Sequence, residues 1–253
     1  NPMKKFLTGS ALKIIAVIAM VLDHFGQIIL KNGIILNAPY SAFSDRQFEL
    51  LLQAADLCHI IGRIAFPIFC FLLVEGFVHT RNLKKYAWNL AAFAVLSEPV
   101  YDFANAGTIF SLAQQNVLFT LLLGLIVLML LQKYEKSVLA VLGIVCAGAV
   151  LSYFCKLDGW YYGIGLIAVF YLFRDRPAIQ YGLALTVMYL SGLDFSLSGI
   201  FDPYFITAAA SLLLISRYNG TRGLRMKYFF YVFYPAHLLL FSLINIYMIF
   251  PMF

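Results

Sequence analysis

The chain is short of charge. Only 12% of its 253 residues are Asp, Glu, Lys or Arg, against about a quarter in a soluble domain, which excludes a water-soluble globular protein. The net charge of +6 would suit a nucleic-acid binder, but such proteins gather Lys and Arg in one solvated stripe. Here the cations punctuate apolar runs, so nucleic acid is not an expected partner. Cysteine is scarce as well. Cys58, Cys70, Cys146 and Cys155 fall in or beside apolar segments without metal-ligand spacing; they read as buried free thiols, and no metal is expected. Internal repeats and low-complexity tracts are missing too.

What the chain has is apolar length. Hydrophobic residues make up 62% of it and the mean hydropathy is +0.86, the composition of an all-α, polytopic integral membrane bundle embedded in lipid. About nine transmembrane segments can be drawn, near 9–31, 57–78, 83–104, 116–132, 136–155, 160–173, 178–192, 203–216 and 228–250. They form one domain over 1–253. Several fall short of the ~20 residues that a perpendicular span needs. Asn1-Pro2 ahead of Met3 reads as a scar of tag removal, and the basic start leads into a full-length span without a small-residue cleavage site, so no cleavable signal is expected.

Charge placement orients the bundle. Lys4, Lys5, Arg81, Lys84, Lys85, Lys133, Lys136, Arg174, Arg176, Arg217, Arg222, Arg225 and Lys227 fall on one side, and only Lys31, Arg46 and Lys156 on the other, with Asp102, Asp158, Asp194 and Asp202. The positive-inside rule then puts the N-terminus in the cytoplasm and the C-terminus outside. The longest polar excursion, Asn32 to Asp56, reads as an outer loop in which Phe43–Leu52 has an amphipathic pattern.

Two cations and several other polar groups remain inside spans. Lys13 and His24 lie eleven positions apart in the first apolar run. That is close to a whole number of helical turns, so both project from one face about 16 Å apart. Asp23 precedes His24, Arg63 lies about six residues below the outer end of the second span, Glu98 sits in Ser97-Glu98-Pro99 of the third, and Asn116 opens the fourth. Asp23, His24, Arg63 and Glu98 can share one layer in the outer half of the bilayer, with Asn116 entering from the same side. A base, two carboxylates and a guanidinium in low dielectric have the composition of a catalytic centre. The same residues also suit plain ion pairs, Arg63 with Asp23 or Glu98, tying helices together. His237 reads as nearer the inner side, either a site residue or a packing histidine. Glu75, followed by His79-Thr80-Arg81-Asn82, either grips a phosphorylated ligand or caps a helix, and His59 reads as interfacial.

The blocks Ala11-Leu12-Lys13, Asp23-His24-Phe25-Gly26, Gly62-Arg63-Ile64-Ala65-Phe66-Pro67, Val74-Glu75-Gly76-Phe77, His79-Thr80-Arg81-Asn82, Ser97-Glu98-Pro99, Asn116-Val117-Leu118-Phe119-Thr120, Phe170-Tyr171-Leu172-Phe173-Arg174 and Tyr234-Pro235-Ala236-His237 together resemble the TraX family, in order along nearly the whole chain. The resemblance implies a membrane acetyltransferase, distantly similar to the acyltransferase 3 group and to heparan acetyltransferase. Acetyl-CoA would serve as acyl donor from the cytoplasm, and His24 as catalytic histidine with Asp23 or Glu98 orienting it and Arg63 or Asn116 facing the oxyanion. Donor contacts are expected from Lys13, Glu75, Arg81, Lys84, Lys85 and His237, with Arg222, Arg225 and Lys227 as further cations open to its phosphates. The acceptor would be an amine or hydroxyl on a peptide, glycan or small molecule at the outer face, a pilin N-terminus in plasmid relatives. A homo-oligomer stays open. The rival readings are a proton-coupled transporter with the same groups as a relay, and a structural assembly partner.

Overall fold

The computed structural model describes residues 5–192 and 196–253. The expectations on Asn1-Pro2, Lys4 and Asp194 lie outside them. The first helix, α1, spans Gly9–His24 and is capped by the Thr8 hydroxyl, which accepts from the Ala11 amide at 3.2 Å. It does not stop at His24: the chain continues as a wide π-helical segment, Phe25–Ile35. After a short turn, α2 (Asp45–Gly62) begins in a Ser44/Gln47 capping box, a device that satisfies two otherwise orphaned amides. α3 (Ala65–His79) follows after only Arg63 and Ile64. Among the described residues the order then runs α4 (Leu83–Ala106), α5 (Val117–Tyr134), α6 (Val138–Phe154), α7 (Trp160–Leu172), α8 (Pro177–Ser191), α9 (Pro203–Ser216) and α10 (Lys227–Ile244). A second π segment, Asn245–Ile249, extends α10.

Two sequence expectations are corrected here. The outer loop of 32–56 shrinks to 36–44, with a short helical turn at Tyr40–Ala42, because the π segment carries the first helix to Ile35 and α2 already starts at Asp45. The amphipathic stretch Phe43–Leu52 is the first half of α2. The four thiols are free but not all buried: Cys70 is, Cys58 is half-buried, and Cys146 and Cys155 are exposed on the outer face of α6 and just beyond it.

The fold is an all-α bundle of an integral membrane protein. Gly9–Ile35, Asp45–His79, Val117–Tyr134 and Tyr228–Met252 are long and apolar enough to cross a bilayer, and Val138–Phe154, Trp160–Leu172 and Pro203–Ser216 are shorter apolar helices. α3 lies at the centre, packed against α1, α5, α7 and α9. Its near-continuous apolar run buries Ile68, Phe69, Cys70, Phe71, Leu73, Val74 and Phe77. α6 is peripheral and buries only Gly148 and Ser152. Val138, Leu139 and Phe154 are accordingly exposed, which suits a surface solvated by acyl chains.

Candidate functional site

α1 sets the centre of the site. Successive residues on a helix point about 100° apart, so Asp23 and His24 face different neighbours. Asp23 turns toward α2, where His59 Nδ1 lies 2.8 Å from its Oδ1. The approach is close because Gly62 has no side chain: a Cβ there would stand 2.5 Å from the Asp23 Cβ. His24 turns toward α10, and its Nδ1 lies 2.6 Å from Nε2 of His237. The two rings stack at 4.9 Å and 17°.

The tautomers follow from bookkeeping of protons. His237 Nδ1 lies 2.9 Å from the Phe233 carbonyl, an acceptor, so that nitrogen donates. With both rings neutral, Nε2 of His237 then carries a lone pair and accepts from His24 Nδ1–H. His24 is left with an unprotonated Nε2, the form a general base requires. His237 therefore does for His24 what an orienting residue does in a catalytic triad.

Glu98 and Asn116 form a second group. Pro99 sits inside α4 without ending it. Glu98 Oε2 accepts from the Asn116 backbone amide at 3.1 Å and from its side-chain amide. The remaining Asn116 groups are spent on the Ala94 carbonyl and on capping α5 at the Leu118 amide. The other Glu98 oxygen and the Tyr234 hydroxyl are buried without a hydrogen-bond partner.

The loop between α6 and α7 joins these groups. Gln115 pairs with Leu157 as an isolated bridge, the Asp158 amide donates to the Gln115 carbonyl at 2.9 Å, and Gly159 N donates to Thr120 Oγ1 at 3.0 Å. Lys156 and Trp160 both hold positive φ, 51° and 46°, a left-handed conformation that costs of order 1 kcal/mol in a side-chain-bearing residue. Between them Asp158 is brought within electrostatic reach of Asp23, Arg63 and Glu98. Asp158 keeps exposed surface, and Gln114 Nε2 donates to its Oδ1 at 2.7 Å; desolvation pushes the carboxyl up to about 6, with Asp23 adding to the rise and Arg63 opposing it. Tyr234 in turn lies near both Asp158 and Glu98.

Four sequence expectations change on this geometry. Arg63 makes no ion pair with Asp23 or Glu98 among the described residues; at the turn between α2 and α3 it lies over the Tyr204 ring, 5.3 Å from its centroid, and Tyr204 donates to Asp56. Neither Asp23 nor Glu98 hydrogen-bonds His24, because each is taken by a nearer donor. His59 is the partner of Asp23, not an interfacial bystander. His237 is not at the inner side but against His24, since the loop that leads into α10 is hydrogen-bonded to Gly9 and Ser10 at the start of α1 and both helices climb from there. Asp158, Tyr234 and Tyr204 were not expected in the site. The tripeptide Leu157-Asp158-Gly159 looks like an ordinary loop in the sequence, and its contacts with Gln114, Gln115 and Thr120 distinguish it.

On the inner side, Lys13 is half-buried, and Arg81, Lys84 and Lys85 are exposed. Glu75 lies 3.8 Å from His79 across one helical turn, and within reach of Tyr218. The described residues hold no group of three or more His, Cys, Asp or Glu placed to bind a metal.

A polytopic helical membrane protein with a histidine pair between its first and last helices is the class that fold and site define. The family described as TraX protein matches residues 8–245, and the chain belongs to that family. It is also similar to a probable fimbrial assembly protein FimC, serogroup H1, of Dichelobacter nodosus, 30% identical over 244 residues, covering 90% of this chain and 92% of the relative. No solved structure matches the chain.

Proposed function

We propose that the protein is an acetyltransferase of the bacterial cytoplasmic membrane that carries acetyl from cytoplasmic acetyl-CoA to an amine or hydroxyl at the outer face. The observation that carries this reading is the His24–His237 pair, which leaves His24 Nε2 free as a base. The acceptor heteroatom attacks the thioester carbonyl carbon while His24 Nε2 takes its proton. The carbon–sulfur bond then breaks, and the imidazolium returns the proton to the departing thiolate. Asp23 stabilises the transient positive charge on His24 through space. With the side-chain amide of Asn116 committed, the oxyanion falls to Arg63 and to the unpartnered Tyr234 hydroxyl. Lys13, near the start of α1, offers a cation to the donor's phosphates.

The likeness to a probable fimbrial assembly protein suggests that the acceptor belongs to a secreted fibre subunit, whose free N-terminus would be the reacting amine. The wider kinship with acyltransferase 3 and heparan acetyltransferase is part of the same proposal. The test is thiol release from acetyl-CoA by purified protein in the presence of a peptide with a free N-terminus, with the peptide's mass gain of one acetyl as product assay. Release and acetylation that both vanish in His24→Ala are expected. A protein that neither melts higher with CoA nor acetylates any of a panel of amines and alcohols would overturn the proposal.

A further inference from the structure

The chain folds back on itself at the foot of α10. Residues 217–226 leave α9 and cross the start of α1: the Gly9 amide donates to the Thr221 carbonyl at 2.8 Å, Ser10 N to the Arg222 carbonyl at 2.9 Å, and Leu224 N to Ser10 Oγ at 3.0 Å. Gly223 adopts φ +69°, and a Cβ there would stand 2.2 Å from Ser10 Oγ, so the loop is pressed onto α1. Its backbone is pinned while Arg222 and Arg225, with Met226, Tyr228 and Phe229, line a cavity of about 530 Å³. Lys13, one turn into α1, is close enough to feel the Arg222 charge. None of these three cations has an ion-pair partner among the described residues. Gathered like charges beside a cavity favour an anion. Arg81, Lys84 and Lys85, on the turn between α3 and α4, line neither this cavity nor the apolar groove between α5 and α6.

A row of rings climbs from the cavity along α10 at four-residue spacing. Phe229 stacks on Phe233 at 5.1 Å and 21°, and Phe233 on His237 at 5.2 Å and 14°. Phe229 to His237 is a rise of about 12 Å, and Lys13 to His24 about 16 Å. α1 and α10 both begin at this loop, so the two paths run side by side and end at the same histidine pair.

We propose that this cavity is the anion-binding end of the acyl-donor channel, where Arg222, Arg225 and Lys13 hold the phosphates of coenzyme A and the Phe229–Phe233 face carries its thioester arm toward His24. The inference rests on the acetyl-CoA reading above and selects one of the two cation groups on the inner side. An anionic lipid headgroup carries the same phosphate chemistry, and the experiment separates the two sources.

CoA is titrated into the purified full chain in lipid-free detergent. The double variant Arg222→Gln/Arg225→Gln is expected to raise the CoA Kd at least ten-fold, and to erase by a similar factor the preference for acetyl-CoA over a phosphate-free acetyl thioester. Arg81→Gln/Lys84→Gln/Lys85→Gln should shift the Kd less than two-fold. If the double variant does not fold, Arg225→Gln alone, away from the hydrogen bonds to α1, should raise the Kd about three-fold or more. Unchanged CoA affinity in the arginine variants overturns the inference, as does a variant that loses only the thermal shift produced by phosphatidylglycerol micelles, since the cavity then serves a lipid. A wild-type protein that binds no CoA at all overturns the transfer reading itself, a result distinct from both.

Discussion

His24 Nδ1 and His237 Nε2 stand 2.6 Å apart, although 213 residues separate them along the chain. One proton lies between them, and the Phe233 carbonyl decides which ring owns it. The two histidines should therefore fail differently. His24→Ala is expected to lower turnover by about 10³-fold or more, within the range of general-base losses. His237→Ala should cost about 10- to 100-fold, as the loss of an orienting partner does, with KM for the donor little changed. Steady-state kinetics of thiol release measure both, and equal losses would mean that His237 takes part in the chemistry directly.

The Asp23–His59 contact is expected to be energetically coupled. Asp23→Asn and His59→Ala should each destabilise the protein, and the double variant should cost less than the sum, with a coupling of about 0.5–3 kcal/mol. Denaturation in detergent of the four proteins closes the cycle. Strict additivity would show that the 2.8 Å contact contributes no coupling.

Gly62 makes a sharper packing prediction. Gly62→Ala puts a methyl 2.5 Å from the Asp23 Cβ, and neither atom is at the end of a flexible chain, so α1 and α2 must separate. A loss of about 1–3 kcal/mol is expected, together with reduced activity as Asp23 moves. Gly143→Ala, where a Cβ meets nothing within 4 Å, should be neutral or stabilising by up to about 1 kcal/mol. Melting temperatures of the two variants should move in opposite directions or by clearly different amounts.

Asp158 gives a pH dependence. Its carboxyl is raised from 3.8 to about 6 by desolvation first and by Asp23 second, so across that window the folded protein holds a proton that the unfolded chain has released. The stabilisation from that proton is fully present below pH 3.8 and is lost as pH rises through about 6. Asp158→Asn should flatten the fall in melting temperature across that interval relative to wild type. A fall that is unchanged would show that Asp158 titrates alike in both states.

The fold class was plain in the sequence because lipid demands long apolar runs, and such runs are visible without any partner. His24, Asp23, Arg63, Glu98 and Asn116 were visible for the complementary reason, as polar groups where polarity is costly. Their pairings were not. Arg63 faces Tyr204 and Asp23 faces His59 because the turn at Arg63–Ile64 splits α2 from α3, and a two-residue break in an apolar run leaves no periodic signature. Asp158 was hidden by its position in a loop, where an aspartate costs nothing and so draws no notice. His237 was seen but misplaced in depth, since nothing in the local sequence fixes where α10 starts relative to α1.

The two π segments are stitched together at the far end of these helices: the Asn245 side-chain amide donates to the Ile28 carbonyl at 2.8 Å, and Gly33 leaves just enough room for that side chain. α1 and α10 are thus held against each other beyond the histidines. On the donor route proposed above, a molecule rising from the arginines would meet that stitch, and an acceptor from the opposite compartment would need a way in of its own. In the transfer proposed above, donor and acceptor would reach the same ring by separate ways, and an acyl group would change sides without an open passage through the membrane.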